Sequence, residues 1–127
     1  MKKLWIDKKR RMSKPALQRL YLSLLPRCRR IARRLGYALA VHGSCTRDFD
    51  LIAVPWTLEA VEPMDLAIAL SKATAKYWKG RDAFEAEGFG GKPHGRKCFT
   101  LYLGAHGTGK PGGSKAIFID LSVMPLV

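Results

Sequence analysis

The chain has 127 residues, 47% of them apolar, and this length predicts one globular domain over residues 13–127 behind a basic arm at residues 1–12. No run of about eighteen apolar residues is present, which excludes a membrane-spanning helix, and no apolar segment follows the basic start as a secretory signal would require. Three widely spaced cysteines without a C-x-x-C pair argue against a disulfide framework or a zinc site and favour a reducing, cytoplasmic setting.

The positive charge is concentrated near the start of the sequence. The first 35 residues carry thirteen Lys and Arg residues against one acid, Asp7, whereas the other 92 carry ten basic and nine acidic residues. Almost all of the net charge of +13 therefore lies in the first quarter of the chain, which favours a polyanionic partner such as RNA or DNA. A basic tail that only aids solubility would have the same composition. The candidate nucleic-acid contacts are Lys8, Lys9, Arg10, Arg11, Arg27, Arg30 and Arg34.

Two helices are predicted directly after the arm. Ser13 fits an N-cap, and apolar residues at three- and four-residue steps over residues 17–25 indicate an amphipathic helix. Pro26 is expected to kink or restart this helix, which gives a second segment over residues 27–35 that stops at Gly36. The arginines of that segment recur at helical spacing, so they could follow a phosphate backbone or simply face solvent.

A Gly-Ser pair stands between two predicted strands. Apolar runs predict strands at residues 37–42 and 48–54, separated by a short polar segment. Gly43 lets the backbone approach a ligand closely, and the Ser44 hydroxyl with neighbouring N–H groups could hold phosphate oxygens. The segment is therefore a candidate phosphate-binding turn.

Two aspartates at the start of the second strand predict a metal site. Residues i and i+2 of a strand project to the same face, so Asp48 and Asp50 are expected side by side. Two carboxylates so placed repel each other, and a divalent cation such as Mg²⁺, which prefers oxygen ligands, would offset the repulsion. The alternative is a tight hairpin in which Asp48 and Ser44 only satisfy turn hydrogen bonds.

The second half of the chain predicts a helix at residues 63–78, a charged loop at residues 79–96 with a short strand or turn at Phe84, and strands at residues 97–103 and 116–123. The segment between the last two strands imitates a P-loop. A proline follows its lysine where Ser or Thr is required, so no ATPase is inferred. We interpret it as the connection of an antiparallel hairpin.

Three side chains at the end of the charged loop are candidate phosphate contacts. Lys92, His94 and Arg96 fall within five residues directly before a strand, and loops beside a sheet commonly bind ligands. A solvent-exposed basic turn explains the same residues equally well.

Gly-Ser followed by D-x-D and an apolar strand resembles the signature of the nucleotidyltransferase superfamily that includes DNA polymerase beta. In that family the Gly-Ser pair contacts nucleotide phosphates, the two aspartates bind two Mg²⁺ ions, and a third carboxylate on a later strand completes the site. The candidate here is Asp120, the only acid after Glu87. The predicted hairpin would set Asp120 in one sheet with the D-x-D strand.

The resemblance covers residues 37–55 and 116–122. Only three residues separate Ser44 from Asp48, where the family usually has a longer, partly helical insert. The compact pattern is also similar to that of small phage-encoded proteins.

The resemblance implies a site in which carboxylates hold Mg²⁺ or Mn²⁺ and basic residues hold an NTP. Asp120 could also accept the proton of the acceptor hydroxyl. Arg47 would offset charge in the transition state or pair with Asp48 or Asp50 as a structural salt bridge. The catalytic and metal-binding candidates are Asp48, Asp50 and Asp120, and the nucleotide-binding candidates are Gly43, Ser44, Arg47, Lys92, His94 and Arg96.

These elements predict an α+β domain with a small mixed or antiparallel sheet of about four strands and helices on one face. The expected order is helix, helix, strand, strand, helix, strand, strand, which is compatible with a nucleotidyltransferase-like core. The predicted function is Mg-dependent transfer of a nucleoside monophosphate from an NTP to a hydroxyl, with RNA or DNA favoured as the acceptor. The alternatives are a catalytically inactive protein of the same fold that binds nucleic acid, and an interaction module that binds a protein partner.

Overall fold

The structure, a computed structural model, describes residues 13–46, 48–74, 84–86, 95–105 and 116–126. It confirms the α+β class, with helices and a mixed sheet. In chain order the elements are α1 (Lys14–Arg34), β1 (Tyr37–His42), β2 (Phe49–Pro55), α2 (Pro63–Thr74), β3 (Phe84–Ala86), β4 (Lys97–Ala105) and β5 (Ala116–Val123).

α1 is one continuous helix, so the predicted division into two helices at Pro26 is wrong. Ser13 caps its start as predicted, because the Ser13 hydroxyl accepts a hydrogen bond from the Ala16 N–H at 3.2 Å. Proline removes the helical hydrogen bond to the carbonyl four residues earlier, here that of Leu22. Leu22 and Pro26 are both exposed, so water can bind the released carbonyl oxygen and the helix continues past the proline.

The end of α1 is tied to the loop between β2 and α2. Gly36 terminates the helix as predicted, with a φ of +91° that favours glycine. Its carbonyl accepts a hydrogen bond from the Trp56 N–H at 3.0 Å, and the Leu35 carbonyl accepts one from the Val61 N–H at 3.0 Å. The Tyr37 hydroxyl donates to the Val61 carbonyl at 2.6 Å. These bonds fix where β1 enters the sheet.

The sheet has the strand order β1-β2-β5-β4-β3. β1 and β2 form one antiparallel pair, and β4 and β5 form the antiparallel hairpin that the sequence predicts. β2 and β5 pair in parallel at the centre, which makes the sheet mixed. The three-residue β3 pairs with β4 and brings the described sheet to five strands, at the place where a short strand or turn is expected.

The helices cover one face of the sheet, as predicted. Tyr21 of α1 stacks on Phe49 of β2 with ring centroids 5.0 Å apart, and both side chains are fully buried. Alternate strand residues form the core on this face, among them Phe49, Leu51, Ala53, Ile119, Leu121 and Val123. The residues between them point the other way, and we call their side of the sheet the second face. It includes Ala40, His42, Asp50, Ile52, Thr100, Asp120 and Ser122.

Several predicted segments lie partly or wholly outside the described residues. They are the arm at residues 1–12, the end of the helix predicted at residues 63–78, most of the charged loop at residues 79–96 and most of the connection between the last two strands. In the described part of the chain, no helix has the length and apolar character needed to cross a membrane.

Candidate functional site

A row of polar residues crosses the second face of the sheet. His42 on β1 pairs in register with Asp50 on β2, and Asp50 pairs with Asp120 on β5. Thr100 on β4 continues the row beyond Asp120. Neighbouring strands lie about 4.8 Å apart, so parallel pairing sets the two aspartates next to each other on one face. These four residues are called the polar row below.

Gly43 lies against the carboxylate of Asp50. Its φ is +83°, in the left-handed region that favours glycine. A Cβ atom built at this position would stand 3.5 Å from Oδ2 of Asp50, an ordinary van der Waals distance. The Gly-Ser bend therefore borders the polar row, where its backbone is available to a phosphate group held close to the carboxylates.

The turn after Gly43 is anchored on α1. The Gln18 side chain donates from Nε2 to the Ser44 carbonyl at 3.0 Å, and the Ser44 and Thr46 hydroxyl oxygens are hydrogen-bonded at 2.8 Å. Cys45 has a φ of +59°, uncommon for a residue other than glycine, and its side chain is buried. Backbone strain of this kind is concentrated at functional sites. The described residues of the turn form no helix, so a helix N-terminus does not supply the phosphate-binding N–H groups here.

The electrostatics of the site centre on Asp50. Burial raises the pKa of the Asp50 carboxyl above its ordinary value, the neighbouring Asp48 carboxylate raises it further, and His42 lowers it. The fully buried phenol of Tyr21 lies close enough to be affected as well. Burial, followed by the charges of Asp48, Cys45 and Asp50, raises the pKa of Tyr21. The site therefore carries negative potential that a cation would offset.

Two carboxylates of the polar row could bind a divalent cation together, although they do not form a complete cage. Among the residues that the structure describes, no three His, Cys, Asp or Glu side chains are grouped closely enough to hold a metal ion. Mg²⁺ is commonly bound by one or two carboxylates together with waters and substrate phosphates, and Asp50 and Asp120 supply such a pair. Asp48 is exposed and directly precedes β2, so the predicted placement of Asp48 and Asp50 on one strand is wrong, and Asp48 forms no three-ligand group with Asp50 and Asp120.

Arg96 lies on the same side of the sheet as the polar row. Its Nη1 donates to the Ser122 hydroxyl at 3.4 Å, and Sγ of Cys98 lies 3.5 Å from the same oxygen. The Nε atom of Arg96 is buried and has no hydrogen-bond partner. Since Ser122 follows Asp120 by two residues, it lies about 7 Å further along the same face. A buried N–H at this position suits an anionic group of a ligand.

The other predicted contact residues have different surroundings in the structure. Arg27 donates from Nη1 to the Ala73 carbonyl at the end of α2, at 3.4 Å, whereas Arg30 lines a cleft and Arg34 is exposed. These three of the arginines of α1 therefore do not form one common binding surface. The predicted contacts outside the described residues are Arg47, Lys92, His94, Lys8, Lys9, Arg10 and Arg11.

Three residues near the site were not singled out from the sequence. His42 could have been, because strand alternation and hairpin pairing place it opposite Asp50. Gln18 and Tyr21 reach the site only through the packing of α1 on the sheet, and no local pattern signals that.

In comparisons with protein-family models, with curated proteins and with solved structures, no match to this chain was found. Any functional assignment therefore depends on the chain's own residues and geometry.

Proposed function

We propose that this chain is a metal-dependent nucleotidyltransferase that moves a nucleoside monophosphate from an NTP to a hydroxyl group, with RNA or DNA as the acceptor. The observation that carries the proposal is the direct register of Asp50 with Asp120 on neighbouring parallel strands. A D-x-D at a hairpin could be a turn motif by itself. A turn motif gives no reason for a third carboxylate beside it, supplied by a strand 70 residues later in the sequence.

The carboxylates would hold the ion. Asp50 and Asp120 are the proposed ligands of Mg²⁺ or Mn²⁺, with waters and substrate phosphates completing the coordination. Bound there, the ion would neutralise charge on the triphosphate and lower the pKa of the acceptor hydroxyl.

The other residues position the reacting groups. Gly43 and Ser44 border the carboxylates and would orient the triphosphate, while the buried Nε of Arg96, further along the second face, would donate to a nucleotide or acceptor phosphate. The acceptor oxygen forms a bond to the α-phosphorus, and the bond from the α-phosphorus to its bridging oxygen breaks, which releases pyrophosphate. Asp120 is the proposed acceptor of the hydroxyl proton.

A second candidate function is favoured by a different observation. The turn at Gly43 is short and non-helical, and the described residues hold no three-ligand metal group. A protein that keeps this fold without turnover and binds nucleic acid or a protein partner would have these features. The two functions make opposite predictions for the carboxylates.

The test is pyrophosphate release by the full chain. The chain is incubated with Mg²⁺ or Mn²⁺, each of the four NTPs labelled at the α-phosphate, and a mixture of RNA and DNA acceptors. We expect pyrophosphate and labelled acceptor to accumulate together. Because Asp50 and Asp120 lie in one site, Asp50→Ala and Asp120→Ala should each reduce the rate at least about 100-fold.

Asp65→Ala is the matched control, since Asp65 is an exposed acid in the first turn of α2, away from the second face. Its rate should stay within about twofold of the unaltered chain. If no NTP yields pyrophosphate, or if Asp50→Ala is as active as the unaltered chain, the transferase is ruled out and the non-catalytic alternative is favoured.

A further inference from the structure

A basic cleft lies between α1 and the start of β1. It has a volume of about 830 Å³, and β1 is the outermost strand on this side of the described sheet. The cleft is lined by Pro26, Arg29, Arg30, Arg33, Tyr37, Ala38, Leu39 and Trp56. We call it the arginine cleft. Its volume is in the range of sites that take a nucleotide-sized group.

The wall of the cleft formed by α1 is cationic because three arginines recur at helical spacing along it. Pro26, Arg29, Arg30 and Arg33 follow each other at three- and four-residue steps and so lie on one stripe of the helix. All four are exposed, and the buried residues of α1 occupy a different stripe. The helix carries seven Lys and Arg residues and no acid, so these guanidinium groups have no carboxylate on their own helix to pair with.

An aromatic side chain borders the cleft. Trp56 is 62% exposed, although its backbone is fixed by the hydrogen bond from its N–H to the Gly36 carbonyl. An exposed indole on a fixed backbone beside three arginines does not contribute to the core. It offers a flat surface on which a base can stack.

We propose that the arginine cleft binds a single strand of nucleic acid, with its phosphates on Arg29, Arg30 and Arg33 and a base stacked on Trp56. The charge of the cleft is complementary to a phosphate backbone. Arg29 and Arg33 are one helical turn apart, about 6 Å along α1, which suits successive phosphates. In a duplex the bases are already stacked and paired, so a tryptophan platform selects an unpaired strand.

The arginine cleft is separate from the polar row. Along β1, Ala38 in the cleft and His42 in the row are about 13 Å apart, the length of a few nucleotides. A strand held in the cleft could therefore extend toward the carboxylates. Binding itself does not depend on nucleotidyl transfer, and it is measured with EDTA present and without NTP.

The experiment measures the affinity of the full chain for a fluorescent single strand of about six nucleotides, as the salt concentration rises from about 50 to about 200 mM. The Arg29→Ala/Arg30→Ala/Arg33→Ala variant should lose about 100-fold in affinity at low salt. Its slope of log affinity against log salt should fall by about 2, since each phosphate contact on a single strand contributes about 0.7.

Trp56→Ala distinguishes stacking from charge. It should weaken binding about tenfold and leave the salt slope unchanged, because it removes a base contact and no phosphate contact. Arg19→Ala is the matched control, since Arg19 is an exposed arginine of the same helix that does not line the cleft. Its affinity should stay within about twofold of the unaltered chain. Circular dichroism of each variant checks that α1 is retained.

Five results would overturn the proposal. The first is an unaltered chain that does not bind the oligonucleotide, and the second is a Trp56→Ala variant that binds as tightly as the unaltered chain. The third is a duplex that competes as well as the single strand. The fourth is displacement of the strand by an equal amount of an acidic peptide, which would assign the cleft to a protein partner. The fifth is an Arg19→Ala variant that loses as much affinity as the cleft variant, which would contradict the placement of the strand on this stripe.

Discussion

The face of the sheet that packs against the helices and the second face are built from alternating residues of the same strands. On β5, Ile119 and Leu121 are fully buried beneath the helices, whereas Asp120 between them points into the polar row. On β2 the same alternation separates Phe49 from Asp50. One set of residues carries the packing energy of the fold, and the other carries the polar side chains of the candidate site. The two faces should therefore respond differently to substitution.

The largest effect on stability is expected on the helix-covered face. Leu121→Ala should lower the free energy of unfolding by about 3 kcal/mol, because it opens a cavity at a side chain with no exposure. Ile52→Ala removes a similar volume from the second face, where Ile52 is only partly buried, and should lower it by about 1 kcal/mol. Urea unfolding of both variants measures the difference. Equal losses would mean that the second face is packed as tightly as the core.

Two glycines separate a structural turn from the candidate site. Gly36 and Gly43 both have positive φ, but a Cβ on Gly36 would stand 2.6 Å from Cα of Ala60, whereas one on Gly43 would stand 3.5 Å from its nearest neighbour, Asp50. We expect Gly36→Ala to lower the free energy of unfolding by about 2 to 3 kcal/mol and Gly43→Ala by about 1 kcal/mol. The reverse ranking would show that the Gly43 turn is the more constrained of the two.

The smallest effect expected is a gain of stability when the Asp50 carboxylate is replaced by an amide. The pKa of the Asp50 carboxyl is raised in the folded protein above its ordinary value of 3.8. The folded chain therefore binds the carboxyl proton more tightly than the unfolded chain does. Stability therefore falls as the pH rises from 3.8 through the raised pKa, and the ionised carboxylate destabilises the fold at neutral pH. Asp50→Asn should raise the unfolding temperature at pH 7 by a few degrees at most, and the gain should vanish below pH 3.8.

Thermal unfolding between pH 3 and pH 7 checks this prediction, with Glu59→Gln, an exposed acid in the loop after β2, as the control. The control should show no comparable gain at pH 7. A loss of stability in Asp50→Asn at pH 7 would contradict the prediction and indicate that the ionised carboxylate is held by favourable contacts.

Most of the fold follows from local patterns in the sequence. Alternation and turn residues predicted the strands and the β4–β5 hairpin, and a single Ser13 hydroxyl predicted the start of α1. The continuous helix through Pro26 was not predicted, because the cost of an internal proline depends on whether the released carbonyl faces water. Solvent exposure is set by the tertiary packing of α1 and is invisible in the local sequence.

The candidate site was only partly predictable. The carboxylates and the Gly-Ser pair are recognisable in the sequence itself. The predicted β4–β5 hairpin led to the expectation that Asp120 would lie in the same sheet, and β5 does pair with β2. The left-handed backbone at Cys45 and the contact of Gln18 with the turn depend on how α1 docks, so the sequence gives no sign of either. The arginine cleft was missed for the same reason, since it exists only where one stripe of α1 meets the edge of β1.

If the carboxylates of β2 and β5 act together on one cation, both strands should contribute to Mn²⁺ binding, which electron paramagnetic resonance measures. We expect the full chain to bind Mn²⁺, and Asp50→Asn and Asp120→Asn each to weaken binding at least about tenfold, while Asp65→Asn leaves it unchanged. Asp120→Asn is the decisive variant, because it alone distinguishes a two-strand site from an isolated D-x-D. Unchanged Mn²⁺ affinity in Asp120→Asn would contradict the account.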